Sequence, residues 1–168
     1  MTVNDLERLY DYGYWANRKL FEAVSQLTPE EFTRTVAGSY GSIRNTLVHT
    51  LSAEWGWLDR CGGAARGPAL KTEDFPTFES IAAKWTLVEG HVRGFLAGLT
   101  DDDVTRIVEF TPLFNMRSGE LGALMQHAAN HAVHHRGQVA LLLRALGHAP
   151  GNFDILFYDA ENRAAVAS

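Results

Sequence analysis

Two histidines four residues apart, His131 and His135, sit in the stretch His127-Ala-Ala-Asn-His-Ala-Val-His-His-Arg-Gly-Gln138. The chain has 7 histidines in 168 residues, a modest excess, and the unusual feature is local, with four of them between positions 127 and 135. On a helix, a spacing of four places two side chains on one face, about 40° apart, where they can share a cation. Neutral imidazole is a ligand for Zn, Ni, Cu or Fe. The surrounding pattern indicates which way the pair points. At 100° per residue, Leu124, Ala128, Leu142 and Leu146 fall within about 60° of His131, whereas Arg136 and Arg144 fall well away. His131 and His135 are thus expected on the apolar face, with His127 and His134 toward its edge and Gln138 about 20° from His131. One inward histidine is ordinarily a hydrogen-bonded core residue. Two on successive turns must each find partners or lose free energy on burial. The HExxH arrangement of zinc proteases is absent, because position 132 is Ala.

A third ligand must come from another element, and spacing leaves it open among His49, His91, His127, His134, His148 and several carboxylates. Periodicity does not select His49. It lies nearly opposite the Leu47, Leu51 and Leu58 stripe, beside Ser42, Asn45, Ala53 and Gly56. That position suits a solvent-facing histidine, or a polar groove whose small residues leave room for a metal and a substrate. Trp15, Trp55 and Tyr14 can line a pocket, although such aromatics more often belong to the core. Arg136 reads as a solvated residue or a salt-bridge partner. Cys61 has no clear base paired with it and reads as incidental.

The elements that must position these residues are helical. The first runs from about Asn4 to Leu27, with Leu6, Leu9, Tyr10, Gly13, Tyr14, Asn17, Leu20, Phe21 and Val24 at spacings of three and four. Thr28-Pro29-Glu30-Glu31 combines an N-cap, a first-turn proline and a capping-box glutamate, and predicts a short helical turn. A second long helix spans about Ser42 to Cys61 and is stopped by Gly62-Gly63. A linker rich in Gly and Pro follows to Pro76. The third helix, about Thr77 to Leu99, carries Gly90, Gly94 and Gly98 at four-residue spacing, which predicts a close helix–helix approach. Arg106 to Phe110 reads as a short extended piece ended by Thr111-Pro112. The fourth long helix runs from about Ser118, its candidate cap, to Leu146, with Gly147 and Pro150 beyond its end. The tail from Asn152 to Tyr158 is apolar enough to pack on the body. Four long helices without a convincing sheet imply an all-α fold, a four-helix bundle with a long crossover between helices two and three. The linker of about 15 residues can reach about 50 Å, further than a helix of about 20 residues is long.

Length and composition suit a single domain over residues 1–168, with 46% hydrophobic and 21% charged residues. No apolar run approaches the length of a membrane span, and the N-terminus does not read as a signal peptide. With Cys61 as the only cysteine, the chain is read as cytoplasmic. The net charge of −5 and the scattered 15 Lys and Arg argue against nucleic acid or anionic lipid as partners.

Trp15-Ala16-Asn17, LVHTLSAEWGWL from Leu47 to Leu58, and NHAVHHRGQ from Asn130 to Gln138 together resemble the DinB-like family, named for a DNA-damage-inducible member. The order and spacing match over nearly the whole chain, including the Gly-His-Ala-Pro-Gly segment after the fourth helix. The resemblance implies a four-helix bundle, often a homodimer, with one divalent metal (Zn, Ni or Fe) on three histidines. By position these are His49 in LVHTL and His131 and His135 in HAVHHRGQ, while His127 and His134 match no ligand position. Similar proteins include S-transferases that use low-molecular-weight thiols and a mycothiol-dependent maleylpyruvate isomerase.

Three neutral imidazoles leave the ion its full charge and at least one open position, as in catalytic rather than structural zinc sites. Such a metal can hold a thiol as thiolate or lower the pKa of water to about 7. The leading expectation is a metal-dependent enzyme acting on a small molecule, by thiol transfer or hydrolysis. The alternatives are a non-catalytic metal or small-ligand binder and, suggested only by the family name, a nucleic-acid-binding damage-response protein. Turnover of a thiol-reactive electrophile separates the first from the second.

Overall fold

The helix starts follow from capping side chains. In the computed structural model, which describes residues 1–37, 39–64, 67–113 and 115–166, α1 spans Val3–Val24. Thr2 Oγ1 accepts from the Asp5 amide while the Asp5 carboxylate accepts from the Thr2 amide at 2.8 Å, a reciprocal capping box. The Thr28-Pro29 signal gives α2, Pro29–Thr33, with the same reciprocal pair between Thr28 and Glu31. Ser42 caps α3, Ile43–Cys61, and Thr77 caps α4, Phe78–Ala97. Between α3 and α4 the described residues of the long crossover include a 3-10 turn, Thr72–Asp74. Then follow α5 (Asp101–Val104), the hairpin β1 (Ile107–Leu113) and β2 (Met116–Glu120), α6 (Leu121–Ala145) and α7 (Ile155–Val166).

The expected four-helix bundle is formed by α1, α3, α4 and α6. Helix α6 packs between α1 and α3, and α4 packs on the other sides of both. Leu6, Leu20, Leu51, Ile81, Leu121, Met125 and Leu143 are fully buried between them. Each such side chain contributes roughly 1.5–3 kcal/mol by leaving water. No helix among the described residues is long and apolar enough to cross a membrane.

Three local expectations are corrected. Ser118 does not cap the fourth long helix. It lies in β2 opposite Glu109, and α6 starts at Leu121 with Glu120 at its N-cap and no side-chain cap bond. At the helix start the Leu121 amide donates to the Arg106 carbonyl, just before β1, at 2.9 Å. Pro112 does not end the extended piece either, because the register shifts between Glu109 and Leu113, and such an irregularity tolerates a residue without an N–H. Finally, Gly90, Gly94 and Gly98 face away from the core. They are exposed, and a Cβ at Gly90 or Gly94 would meet nothing within 4 Å. Helix α4 buries Ile81, Trp85, Val88, Val92 and Leu96 instead. The tail does pack on the body, but as a helix. Arg8 pairs with Asp159 at 2.7 Å, Trp15 Nε1 donates to Glu161 at 2.8 Å, and the Tyr158 ring lies edge-on to Tyr12 and Trp15.

Arg136 is buried, not solvated. A helix wedged between two neighbours has interior on two sides, so the face of α6 turned away from His131 meets α1. There Arg136 Nη1 donates to the Gly13 carbonyl at 3.1 Å and to Asn17 Oδ1 at 2.9 Å. Nearby, Tyr14 donates its hydroxyl to Glu54 at 2.6 Å. Burial pushes the Glu54 carboxyl up to about 7, against the opposing Tyr14 hydrogen bond. The folded chain therefore binds this proton more tightly than the unfolded chain, and stability falls as pH rises from about 4.5 through about 7. Glu54→Gln keeps an acceptor for Tyr14 and removes the charge. It is expected to flatten this decline and to be more stable than the parent at pH 8, by up to about 3 kcal/mol. Urea unfolding of both proteins from pH 5 to 8 checks this, and a parent whose stability does not change over that range contradicts it.

Candidate metal centre

His49 is presented by α3, and His131 and His135 by successive turns of α6. Because α3 and α6 are neighbours, the three rings converge. His131 Nε2 lies 3.3 Å from His49 Nε2 and 3.0 Å from His135 Nε2. Ligating nitrogens of all three lie within 4.8 Å of one another, and among the described residues no other three His, Cys, Asp or Glu side chains converge in this way. A tetrahedron with metal–nitrogen bonds of about 2.0–2.1 Å has edges of about 3.3–3.4 Å, and an octahedron about 2.9 Å. The separations from His131 are of that size. His135 is buried and the other two rings are half-buried.

The proton arrangement suits a cation. Gln138 Oε1 lies 2.6 Å from His135 Nδ1 and accepts from Ser39 Oγ at 2.7 Å, while Gln138 Nε2 is 3.0 Å from His134 Nε2. An amide oxygen only accepts, so His135 carries its proton on Nδ1 and its Nε2 lone pair faces His131. Burial, reinforced by the neighbouring His135, pushes His49 and His131 down to about 4. Burial also lowers His135, against the Gln138 hydrogen bond. All three are therefore uncharged at neutral pH, which is the ligating form.

Gln138 thus reaches the site, as its angle predicted, by way of His135. Of the groove residues expected beside His49, Asn45 and Ala53 line a cavity of about 320 Å³ together with His49, whereas Ser42 is buried and Gly56 lines a different cleft. Of the other histidines, His134 lies beside the cluster, against the His135 ring and Gln138, but is not one of the three that converge. His127 is exposed and edge-on to Trp57, His91 is exposed, and His148 lies 3.2 Å from Glu31. Cys61 is buried and its thiol is pushed up to about 12, so it is no nucleophile near pH 7. Trp15 and Tyr14 are core residues, whereas Trp55 lines a separate cleft of about 170 Å³.

Two neighbours of the site have no signal in the periodicity. Tyr40, 46% exposed, stacks on the His49 ring at 3.8 Å and 19°, with its edge toward His135. Ser39, at φ +52°, holds this loop to Gln138 and to Thr46 at 3.1 Å. Both lie between α2 and α3, where no repeat reports on direction. The polar run Gly38-Ser39-Tyr40-Gly41-Ser42 was the available hint; Gly38 lies outside the described residues.

Residues 1–164 match the model of the DinB family. The chain belongs to the DinB family. Among proteins similar to this chain, the protein DinB of Bacillus subtilis (strain 168) is 23% identical over 157 residues, 90% of this chain and 91% of that protein. The uncharacterized protein YizA of the same organism is 22% identical over 146 residues, covering 85% and 89%. A crystal structure of a DinB-like protein from Bacillus cereus ATCC 10987 superposes with a TM-score of 0.73 at 22% identity, covering 90% of this chain and 97% of that one. That likeness confirms the DinB fold.

If Gln138 sets the tautomer and orientation of His135, then Gln138→Leu should leave the helices intact and weaken zinc affinity by roughly 10- to 100-fold. Competition with a chromophoric chelator measures this, and unchanged affinity removes Gln138 from the role.

Proposed function

We propose that this chain is a metal-dependent enzyme acting on a small molecule, with one divalent transition metal (Zn, Ni or Fe) held by His49, His131 and His135. The observation that carries the reading is the convergence of three uncharged imidazoles with no carboxylate or thiol among them. Such a donor set brings no negative charge, and three protein ligands leave coordination unfilled, as in catalytic sites. A divalent metal in that place supplies Lewis acidity, which favours the deprotonated form of a thiol or water near pH 7. The chain's own residues do the positioning. Gln138 fixes His135, Tyr40 covers one face of His49, and the half-buried rings of His49 and His131 keep the centre reachable from outside.

We favour a low-molecular-weight thiol as the nucleophile, on the family resemblance, and thiol transfer over hydrolysis. The same reading takes the protein as a cytoplasmic homodimer. Its acidic net charge of −5 supports a small-molecule role over one with nucleic acid or membrane.

Each of His49→Ala, His131→Ala and His135→Ala is expected to lose stoichiometric metal after dialysis, while His91→Ala and His148→Ala retain it. Metal analysis of the purified proteins decides this, and a fully loaded His49→Ala protein removes His49 from the site. In a cobalt-substituted Cys61→Ser background, an added thiol should produce a sulfur-to-cobalt charge-transfer band, and His135→Ala should abolish it. A fully loaded cobalt site that no thiol perturbs contradicts thiol activation and leaves water, or a non-catalytic metal, as the better account.

A further inference from the structure

The imidazoles of the cluster are held by different means. The ring of His135 is oriented by its hydrogen bond to Gln138. His49 has no equivalent. Among the described residues its one hydrogen-bonding contact is that of Nε2 with His131 Nε2 at 3.3 Å, inside the cluster. Its ring lies instead flat against Tyr40, with ring centres 3.8 Å apart, and Tyr40 turns its edge to His135. Tyr40 is held there from both helices of the site. Its carbonyl accepts from Asn45 Nδ2 at 3.1 Å, on the helix that carries His49. The preceding residue, Ser39, donates to Gln138, on the helix that carries His135. Ser39 adopts φ +52°, in the left-handed region that residues other than glycine rarely enter, and such a conformation persists only where its surroundings hold it.

We propose that Tyr40 is a positioning residue for the metal: its ring sets the plane of the His49 imidazole and favours the metal-bound form of that ligand. The proposal rests on the metal reading above and names a further residue of that site. Direction is the first argument. A metal reaches an imidazole in the plane of the ring, along the nitrogen lone pair, so a ring stacked on the face leaves Nε2 open to ligation. Order is the second. The last torsion of a histidine side chain is broad, and His49 is half-buried with no hydrogen bond from outside the cluster to fix it. A stacked neighbour restricts the ring beforehand, so less freedom is lost when the metal binds. Charge is the third. A divalent ion on Nε2 draws electron density out of the imidazole, and the face of a phenol ring carries negative potential, so the stack is stronger with the metal in place than without it. Tyr40 thus does for His49, through its ring, what Gln138 does for His135 through a hydrogen bond.

The test compares Tyr40→Phe, which keeps the ring, with Tyr40→Leu, which keeps apolar cover without it. Tyr40 is 46% exposed on a loop, so neither change should disturb the bundle. Zinc affinity of the full-length proteins is measured by competition with a chromophoric chelator. Tyr40→Phe should bind zinc as the parent does, and Tyr40→Leu roughly three- to tenfold more weakly, the size expected of a stacked aromatic pair. In metal-free protein, NMR should find the carbon-bound ring protons of His49, assigned against His49→Ala, shifted upfield by the Tyr40 ring. That shift should persist in Tyr40→Phe and vanish in Tyr40→Leu. Ser39→Ala, which frees the loop from Gln138 and Thr46, should reduce it. Equal zinc affinity in the parent and Tyr40→Leu, equal loss in both Tyr40 variants, or His49 protons that do not respond to Tyr40→Leu overturns the proposal. A parent that binds no zinc although its His49 protons are shifted overturns the metal reading, and the role of Tyr40 with it, whereas zinc bound equally well without the ring overturns the role of Tyr40 alone.

Discussion

The site depends on one packing contact, that of α3 against α6, the most extensive between any two helices of the bundle. His49 sits on the first of these helices, and His131 and His135 on the second. None of the three can bring the others close. What does so is the burial of Leu47, Val48 and Leu51 on α3 and of Leu124, Ala128, Val139 and Leu142 on α6 within one core. Interior packing is dense and resists small displacements, so the core fixes the nitrogen separations of 3.0 and 3.3 Å. The polar cluster of Arg136, Asn17, Tyr14 and Glu54 lies on the other side of α6. It sets that helix against α1, so α6 is held from both flanks and its histidines face one way.

Around this frame a short chain of hydrogen bonds sets the chemistry. Ser39, Gln138, His134 and His135 share one amide group. That group leaves the Nε2 of His135 as an acceptor aimed at the centre of the cluster. Partial burial keeps all three imidazoles uncharged at neutral pH. The arrangement costs solvation and gains little within the protein itself. A cation would repay that cost, since each nitrogen would then have a partner.

Much of this was legible in the sequence because helices write their geometry into periodic patterns. The inward direction of His131 and His135, the nearness of Gln138, the cap at Thr28 and the start of α3 near Ser42 all follow from spacing and local signals. His49 did not follow from spacing; only the resemblance selected it, because a single histidine opposite a leucine stripe reads equally well as solvent-facing. Arg136 misled because a helical wheel referred to one face does not show that a central helix has two buried faces. Ser118 misled because a capping residue before a helix and a strand residue in a hairpin look alike when only the pairing with Glu109 distinguishes them. Tyr40 and Ser39 had no signal, since loop direction is set by tertiary contacts such as the Ser39–Gln138 hydrogen bond.

The most direct test of the central claim is zinc K-edge X-ray absorption on stoichiometrically loaded protein, recorded before and after addition of a thiol. The account predicts three imidazole nitrogens at about 2.0–2.1 Å with a light atom completing the shell, and replacement of that atom by one sulfur at about 2.3 Å when thiol is added. A shell closed by a fourth protein ligand, or one without three imidazoles, would contradict it.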